Sequence, residues 1–378
     1  MDDIAALVNI SRLAGERFDL VQAGGGNSSV KIDGEHIYVK ASGLALSDVS
    51  SSDFCLLRYP SLIDFVESAS AAAPSAPGSF DYAALAELDK LANAAVEGAQ
   101  ENSKRPSIEA LLHCLLGKFT LHTHPIAVAA LVCRSNWRDL VRREWPLALL
   151  VSYRTPGAAL ALELAGELKK SGWRPGDELI VFLENHGLIV AAATASAVLA
   201  ITDKVTARVE SLLAEDGPPL DLNRYRLTSS LSALLNQVCQ TQLVSYLSDD
   251  SVLHGAVEAA LPLVLARPAT PDQLVYCGVV PLALEGSSES GKIDLLSETN
   301  KVEQYLRAHG QPPKVVLLDG KHLLFVGKSL RKCRDAEEVL RSHVLLQSGG
   351  TFDTMKYLDP AEVDYLSNWE AEKYRQSL

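Results

Sequence analysis

The sequence predicts a mixed α/β fold in two domains, about 1–220 and 221–378. Three observations carry this. A chain of 378 residues suits two hydrophobic cores better than one. Short apolar runs bounded by turn residues alternate with stretches of helical periodicity. Asp216-Gly217-Pro218-Pro219 breaks a long amphipathic stretch and sets the boundary between about 218 and 228.

The elements follow in order. Residues 4–13 have helical periodicity. Strands over 30–32 and 36–40 flank Asp33-Gly34, a hairpin turn signal. A helical stretch around 62–65 runs into 68–79, rich in Ala, Ser and Pro, which reads as a surface loop. Ser107 is the expected N-cap of a helix over about 108–116. An apolar strand, Phe119-Thr120-Leu121, then carries two histidines. The segment 158–170 is helical, 179–183 and 188–192 are strands around Asn185-His186-Gly187, and 197–213 is a long helix. In the second half, 314–326 aligns without gaps to 179–191, with Lys321 opposite His186. Two readings stay open: a degenerate repeat that has lost the histidine, or the common look of any hairpin that leads into a helix.

Composition narrows the function. A formal charge of −12 argues against general nucleic-acid binding, which needs clustered Lys and Arg. One anionic group on a small substrate is still compatible, because a local pocket of N–H groups suffices. No uncharged apolar run reaches the length of a membrane span. The six cysteines form no C-x-x-C pair, and the Met-Asp-Asp start shows no signal peptide, so a reducing, cytoplasmic location is expected.

The chemistry lies in the histidines. His122 and His124, at i and i+2 on an apolar strand, project from one face, and each is costly to bury unless paired. His186 in a tight turn and Glu109 upstream complete a donor set of three imidazoles and a carboxylate, suited to a catalytic divalent metal. Glu109 has two roles open to it, fourth ligand or base; as a plain helix-start glutamate it would only favour the macrodipole. His113 shares a helix face with Glu109; it has two roles open to it, a partner that supports the site from behind or a structural residue, and the structural role is the expected one. The cluster Gly24-Gly25-Gly26-Asn27-Ser28-Ser29 lacks the pattern of a Walker loop or a dinucleotide fingerprint. Its small residues let backbone N–H groups approach an anion, with Lys31, Lys40 and Ser42-Gly43 near it in the hairpin, so Ser28 and Lys40 are expected among the substrate or phosphate contacts.

Together Gly24–Lys31, Val39-Lys40-Ala41-Ser42-Gly43, Arg105–Glu109, His122–Pro125 and Glu184–Gly187, in this order, resemble the class II aldolase/adducin family. The resemblance covers about 1–215. Within it the chain is most similar to the aldolase part of bifunctional rhamnulose-phosphate aldolase/dehydrogenases, and that likeness extends through 270–276 and 368–374; no counterpart of their dehydrogenase domain is expected within these 378 residues. It implies a three-layer α/β/α domain with a mainly antiparallel sheet, followed by a smaller C-terminal α/β domain. It implies one Zn²⁺ per subunit on His122, His124 and His186, with Glu109 as acid/base and extra ligand; other divalent transition metals also suit such a site. It implies a phosphate site from Gly26, Asn27, Ser42, Gly43 and Ser107, and a homo-oligomer, a tetramer in relatives.

The resemblance implies reversible aldol cleavage of a ketose, or ketose 1-phosphate, to dihydroxyacetone or its phosphate and an aldehyde. A pentulose-phosphate 4-epimerase or a decarboxylase on the same scaffold, and a non-enzymatic adducin-like interaction module, are the alternatives. Two departures bear on it. Many phosphate-binding relatives have two hydroxyl residues before the glutamate, where this chain has Ser107-Ile108. The tyrosine that protonates the aldehyde oxygen in the aldolases has no match: Trp137, Trp145 and Tyr153 follow His124.

Overall fold

The computed structural model describes residues 2–72, 82–107, 109–217, 220–286, 293–348 and 356–363. Residues 73–79 of the Ala/Ser/Pro tract, Ile108, Pro218, Pro219 and the 368–374 segment lie outside the described residues. The chain forms two compact units, Met1–Leu220 and Asp221–Leu378.

The first unit runs α1 (Asp3–Gly15), β1 (Asn27–Lys31), β2 (His36–Lys40), β3 (Phe54–Arg58), α2 (Tyr59–Ala72), α3 (Tyr82–Ala99), α4 (Ala110–Cys114) and β4 (Phe119–Thr123). It continues with α5 (Ile126–Val132), α6 (Trp137–Glu144), β5 (Leu149–Val151), α7 (Ala158–Ser171), β6 (Leu179–Leu183), β7 (Gly187–Ala192) and α8 (Ala195–Asp216). The sheet order is β3-β2-β1-β4-β7-β6-β5. Every neighbouring pair is antiparallel except β5–β6. Helices α1, α5 and α8 pack on one face, and α2, α3, α4 and α7 on the other, which gives the three layers expected.

β4 lies at the centre of this sheet with all five residues buried. Its alternation decides the site. Leu121, 1% exposed, points to one face, where removing a leucine side chain from water is worth roughly 1.5–3 kcal/mol. His122, the next residue, points to the other. In the hairpin of β1 and β2, Asp33 Oδ1 accepts from the N–H groups of Glu35 and His36 at 2.7 and 2.6 Å and closes the predicted turn.

Two local expectations are corrected. The helix starts at Ala110, two residues after the expected start, with Glu109 in the N-cap position. Ser107 lies just ahead of it, its hydroxyl accepting from Glu109 N at 3.3 Å and its carbonyl from Ala110 N at 3.0 Å. The tract read as a loop from residue 68 is helical to Ala72, because Ser68–Ala72 hold no proline or glycine to end the helix.

The second unit contains α9 (Arg226–Cys239), β8 (Val244–Leu247), α10 (Ser251–Ala259), α11 (Leu261–Val264), α12 (Pro271–Cys277), β9 (Leu282–Leu284), α13 (Leu295–His309), β10 (Val315–Leu318), β11 (His322–Gly327) and α14 (Leu330–Ser348). Its sheet order is β8-β11-β10-β9, with two antiparallel pairings followed by a parallel one. The β4-β7-β6-β5 half of the first sheet has the same order and the same sequence of pairings. Both hairpin turns close on the same bond, His186 N to Leu183 O at 3.2 Å and Lys321 N to Leu318 O at 3.0 Å. Among the described residues no helix is long and apolar enough to cross a membrane.

Candidate metal centre

Three imidazoles converge at the end of β4. His122 Nε2 lies 3.1 Å from His124 Nε2 and 3.3 Å from His186 Nε2. Nitrogen donors at about 2.0–2.1 Å around a tetrahedral zinc stand roughly 3.3–3.4 Å apart, so this spacing is that of a shared ligand sphere. His122 Nδ1 donates to Leu188 O on β7 at 3.0 Å. A carbonyl can only accept, so the proton sits on Nδ1 and the Nε2 lone pair faces the cluster. Burial pushes His122, His124 and His186 down to about 4, which leaves all three rings neutral and able to ligate at pH 7.

Backbone geometry brings them together. β4 ends at Thr123, and His124 N donates to Leu20 O at 3.0 Å, which turns the chain toward Pro125 and α5. His186 is presented by the β6–β7 turn, where Asn185 has φ +52°. Gly187 permits the close approach: a Cβ there would lie 2.5 Å from Thr123 O and 3.0 Å from His124 Cδ2. Trp137 Nε1 and Tyr153 N donate to the two oxygens of Glu184 at 3.1 and 3.0 Å, and so brace the turn two residues before His186.

Glu109 completes the cluster. Its Oε2 lies 3.6 Å from His122 Nε2 and its Oε1 3.5 Å from His186 Nε2. At the N-cap it makes no side-chain capping bond, so the macrodipole reading does not account for where it points. Asn27 Nδ2 donates to Glu109 Oε2 at 2.6 Å. Asn27 Oδ1 is hydrogen-bonded to His113 Nε2, and His113 Nδ1 to Ser29 Oγ at 2.7 Å. Glu109 Oε1 and His186 Nδ1 are buried with no hydrogen-bond partner. An orphaned carboxylate oxygen beside three inward-facing imidazoles is a donor set that fits a divalent cation. His122, His124 and His186 could hold such an ion.

Residues 5–210 match the family described as Class II Aldolase and Adducin N-terminal domain. The chain belongs to the class II aldolase/adducin family. No curated protein matches it. Among solved structures it is similar to the N-terminal class II aldolase domain of a conserved protein from Thermoplasma acidophilum, at 24% identity over 56% of this chain and 95% of that one, with a TM-score of 0.46. It is similar also to L-fuculose-1-phosphate aldolase from Thermus thermophilus, at 17% identity over 56% and 94%, with a TM-score of 0.35. A third is sugar-phosphate aldolase from Thermotoga maritima, at 16% identity over 57% and 97%, with a TM-score of 0.37.

Of the residues expected to contact the substrate or its phosphate, the structure gathers some and not others. Gly26, at φ +71°, lies against β4, where a Cβ would stand 2.8 Å from His122 O. Asn27 Nδ2 is 3.4 Å from Ser107 Oγ. Ser42 N donates to Arg105 O at 2.9 Å, and Ala41 bridges to Pro106, so the Ser42-Gly43 segment runs beside the approach to Ser107. Ser28 is turned away: β1 starts at Asn27, and its alternation sends Ser28 to the α1 face, where its hydroxyl meets Ser11 Oγ at 2.7 Å. Lys40 is also diverted. Its buried ammonium donates to Ala41 O and Leu44 O at 3.0 and 2.6 Å, and burial lowers its pKa. A cavity of about 520 Å³ opens beside Ser107, lined also by Arg105, Asn93 and Gly157. Asn27, read from sequence only as part of an anion loop, proves to be the partner of Glu109; its strand-start position was the available signal.

Proposed function

We propose that this chain is a zinc-dependent class II aldolase that reversibly cleaves a ketose, or a ketose 1-phosphate, into dihydroxyacetone or its phosphate and an aldehyde. One observation carries the reading. The Glu109 carboxylate sits within 3.6 Å of two of three converging imidazoles and keeps one buried oxygen without a partner. A residue kept only for packing would not leave that oxygen unsatisfied in a buried site. An interaction module of the same family has no use for such a donor set.

His122, His124 and His186 would hold the metal, which supplies Lewis-acid polarisation of the ketose carbonyl when bound. Glu109 takes the carbon-bound proton of the donor, the carbon so freed bonds to the aldehyde carbon as its C=O double bond opens, and the former aldehyde oxygen takes a proton from solvent to become a hydroxyl; the reverse sequence cleaves the ketose. Asn27 holds Glu109 in place for this. Gly26, Ser42-Gly43, Ser107 and the adjoining cavity bind the remainder of the substrate. The catalytic domain spans about 1–220 in this reading. The second unit, 221–378, is a degenerate copy of half the sheet, supported by its matching strand order.

Metal analysis and a screen of ketoses and ketose 1-phosphates for release of a dihydroxyacetone-type product test the proposal. The expected outcome is one zinc per chain and cleavage of at least one ketose. Purified protein without bound zinc, and with no gain of thermal stability on adding it, would sink the reading.

A further inference from the structure

We infer that His113 is a positioning residue: through Asn27 it anchors Glu109 by Oε2 and leaves Oε1 to take the substrate proton. The proton transfer rests on the aldolase reading; the anchoring rests on hydrogen-bond inventory alone.

The inventory has one solution. An ionised carboxylate only accepts, so the group 2.6 Å from Glu109 Oε2 is the Asn27 amide N–H. The other end of that amide, Oδ1, therefore faces His113 Nε2, and a carbonyl oxygen cannot donate. The ring proton is thus on Nε2. A neutral imidazole carries one N–H, so Nδ1 accepts, and Ser29 Oγ–H donates to it across 2.7 Å. The bonds run in one direction, from Ser29 to His113 to Asn27 to Glu109.

A flipped Asn27 amide would set two acceptors, Oδ1 and the carboxylate, against each other, and His113 supplies the donor that prevents the flip. Ser29, His113 and Asn27 are at most 3% exposed, so water does not substitute for a missing partner. Oε1 is buried, unpartnered and 3.5 Å from His186 Nε2, and is the oxygen left to accept a proton. The network ties two β1 residues at i and i+2 to two residues four apart, one at the N-cap of α4 and one in its last turn, so it also fixes the segment that carries the base.

The test uses zinc-loaded and Co²⁺-loaded protein with His113→Leu and His113→Gln. Solvent exchange of the donor carbon-bound proton is expected to fall about 10–100-fold in the leucine variant, the usual loss when a partner of an active-site group is removed. The donor KM should stay within about threefold, because the lost term belongs to the chemical step. The Co²⁺ visible spectrum should match wild type, and His113→Gln, whose amide N–H can reach Asn27 Oδ1, should recover most of the rate. In metal-free protein labelled with ¹⁵N-histidine, His113 should carry its proton on Nε2, and Ser29→Ala should shift that signal. This variant keeps the ring in place and stands in if the leucine variant does not fold. A proton on Nδ1, or undiminished exchange in His113→Leu, overturns the proposal. A wild type without exchange would sink the aldolase reading instead, and the tautomer would still decide the anchoring.

Discussion

Asn27 on β1 and His122 on β4 are directly opposed across the sheet. The glycine-rich segment therefore delivers its first strand residue to the rung that holds the central imidazole. The amide that holds the Glu109 carboxylate and the ring that meets it at 3.6 Å are set by one pair of strands.

Glu109→Gln separates the base from the ligand sphere. The glutamine carbonyl can still accept from Asn27, so the fold and the three imidazoles should be unchanged. Metal content is expected to stay at the wild-type level while donor proton exchange falls about 10²–10⁴-fold, the usual contribution of general base catalysis. Undiminished exchange would remove Glu109 from the base role.

His124→Ala removes one of three imidazoles. Bound zinc should drop from one per chain to a trace. The thermal protection by added zinc, about 2.7 kcal/mol at a free concentration a hundredfold above Kd, should vanish. The second unit should add no site of its own. At the register of His122, His124 and His186 it carries Leu247, Asp249 and Lys321, as the pairing of Leu247 with Leu324 fixes. A second zinc per wild-type chain by elemental analysis would contradict this.

Two glycine substitutions should have opposite signs. Gly187→Ala forces a Cβ to 2.5 Å from Thr123 O and should cost about 1–3 kcal/mol, with weakened metal binding through His124. Gly166→Ala lies inside α7 with nothing within 4 Å of the new Cβ, and should stabilise by about 0.4–1 kcal/mol. Urea midpoints of the two variants check both.

Metal-free protein should lose stability in acid over a defined window. Burial holds His113 at about 3 and His122, His124, His186 and His343 at about 4, below the ordinary value near 6.5. The unfolded chain thus takes up protons first as pH falls. The contribution of these neutral rings is whole above pH about 6.5 and is lost progressively down to about 3–4. Melting temperatures of chelator-treated protein between pH 8 and pH 4 should be level above that window and decline within it. A flat profile from pH 6.5 to 4 would contradict the burial argument.

What could be read from sequence follows range. His122 and His124 were legible because strand alternation is a local rule, and His186 because Asn-His-Gly signals a tight turn. Ser28 was misplaced for the same local reason: the strand begins at Asn27, three residues before the position expected, and the pleat reverses its face. Lys40 was counted as a cation for the substrate, but a buried ammonium first satisfies its own protons on nearby carbonyls. His113 read as structural because its partners Asn27 and Ser29 lie more than 80 residues earlier, a separation no local rule reaches. β3 and β5 lack a local turn signal strong enough to mark them and form as edge strands once β2 and β6 offer a partner.

The position of β7 has a consequence for biosynthesis. β4 is emitted well before β7, yet β7 must slot between β4 and β6 before His186 can meet His122, 64 residues behind it. The emerging chain can pair β1, β2 and β3 early, but its cluster of three imidazoles stays incomplete until the β6–β7 hairpin closes. A cation captured there would clasp early and late parts of the domain together, so that loading reports a finished sheet and a truncated nascent chain carries no premature site.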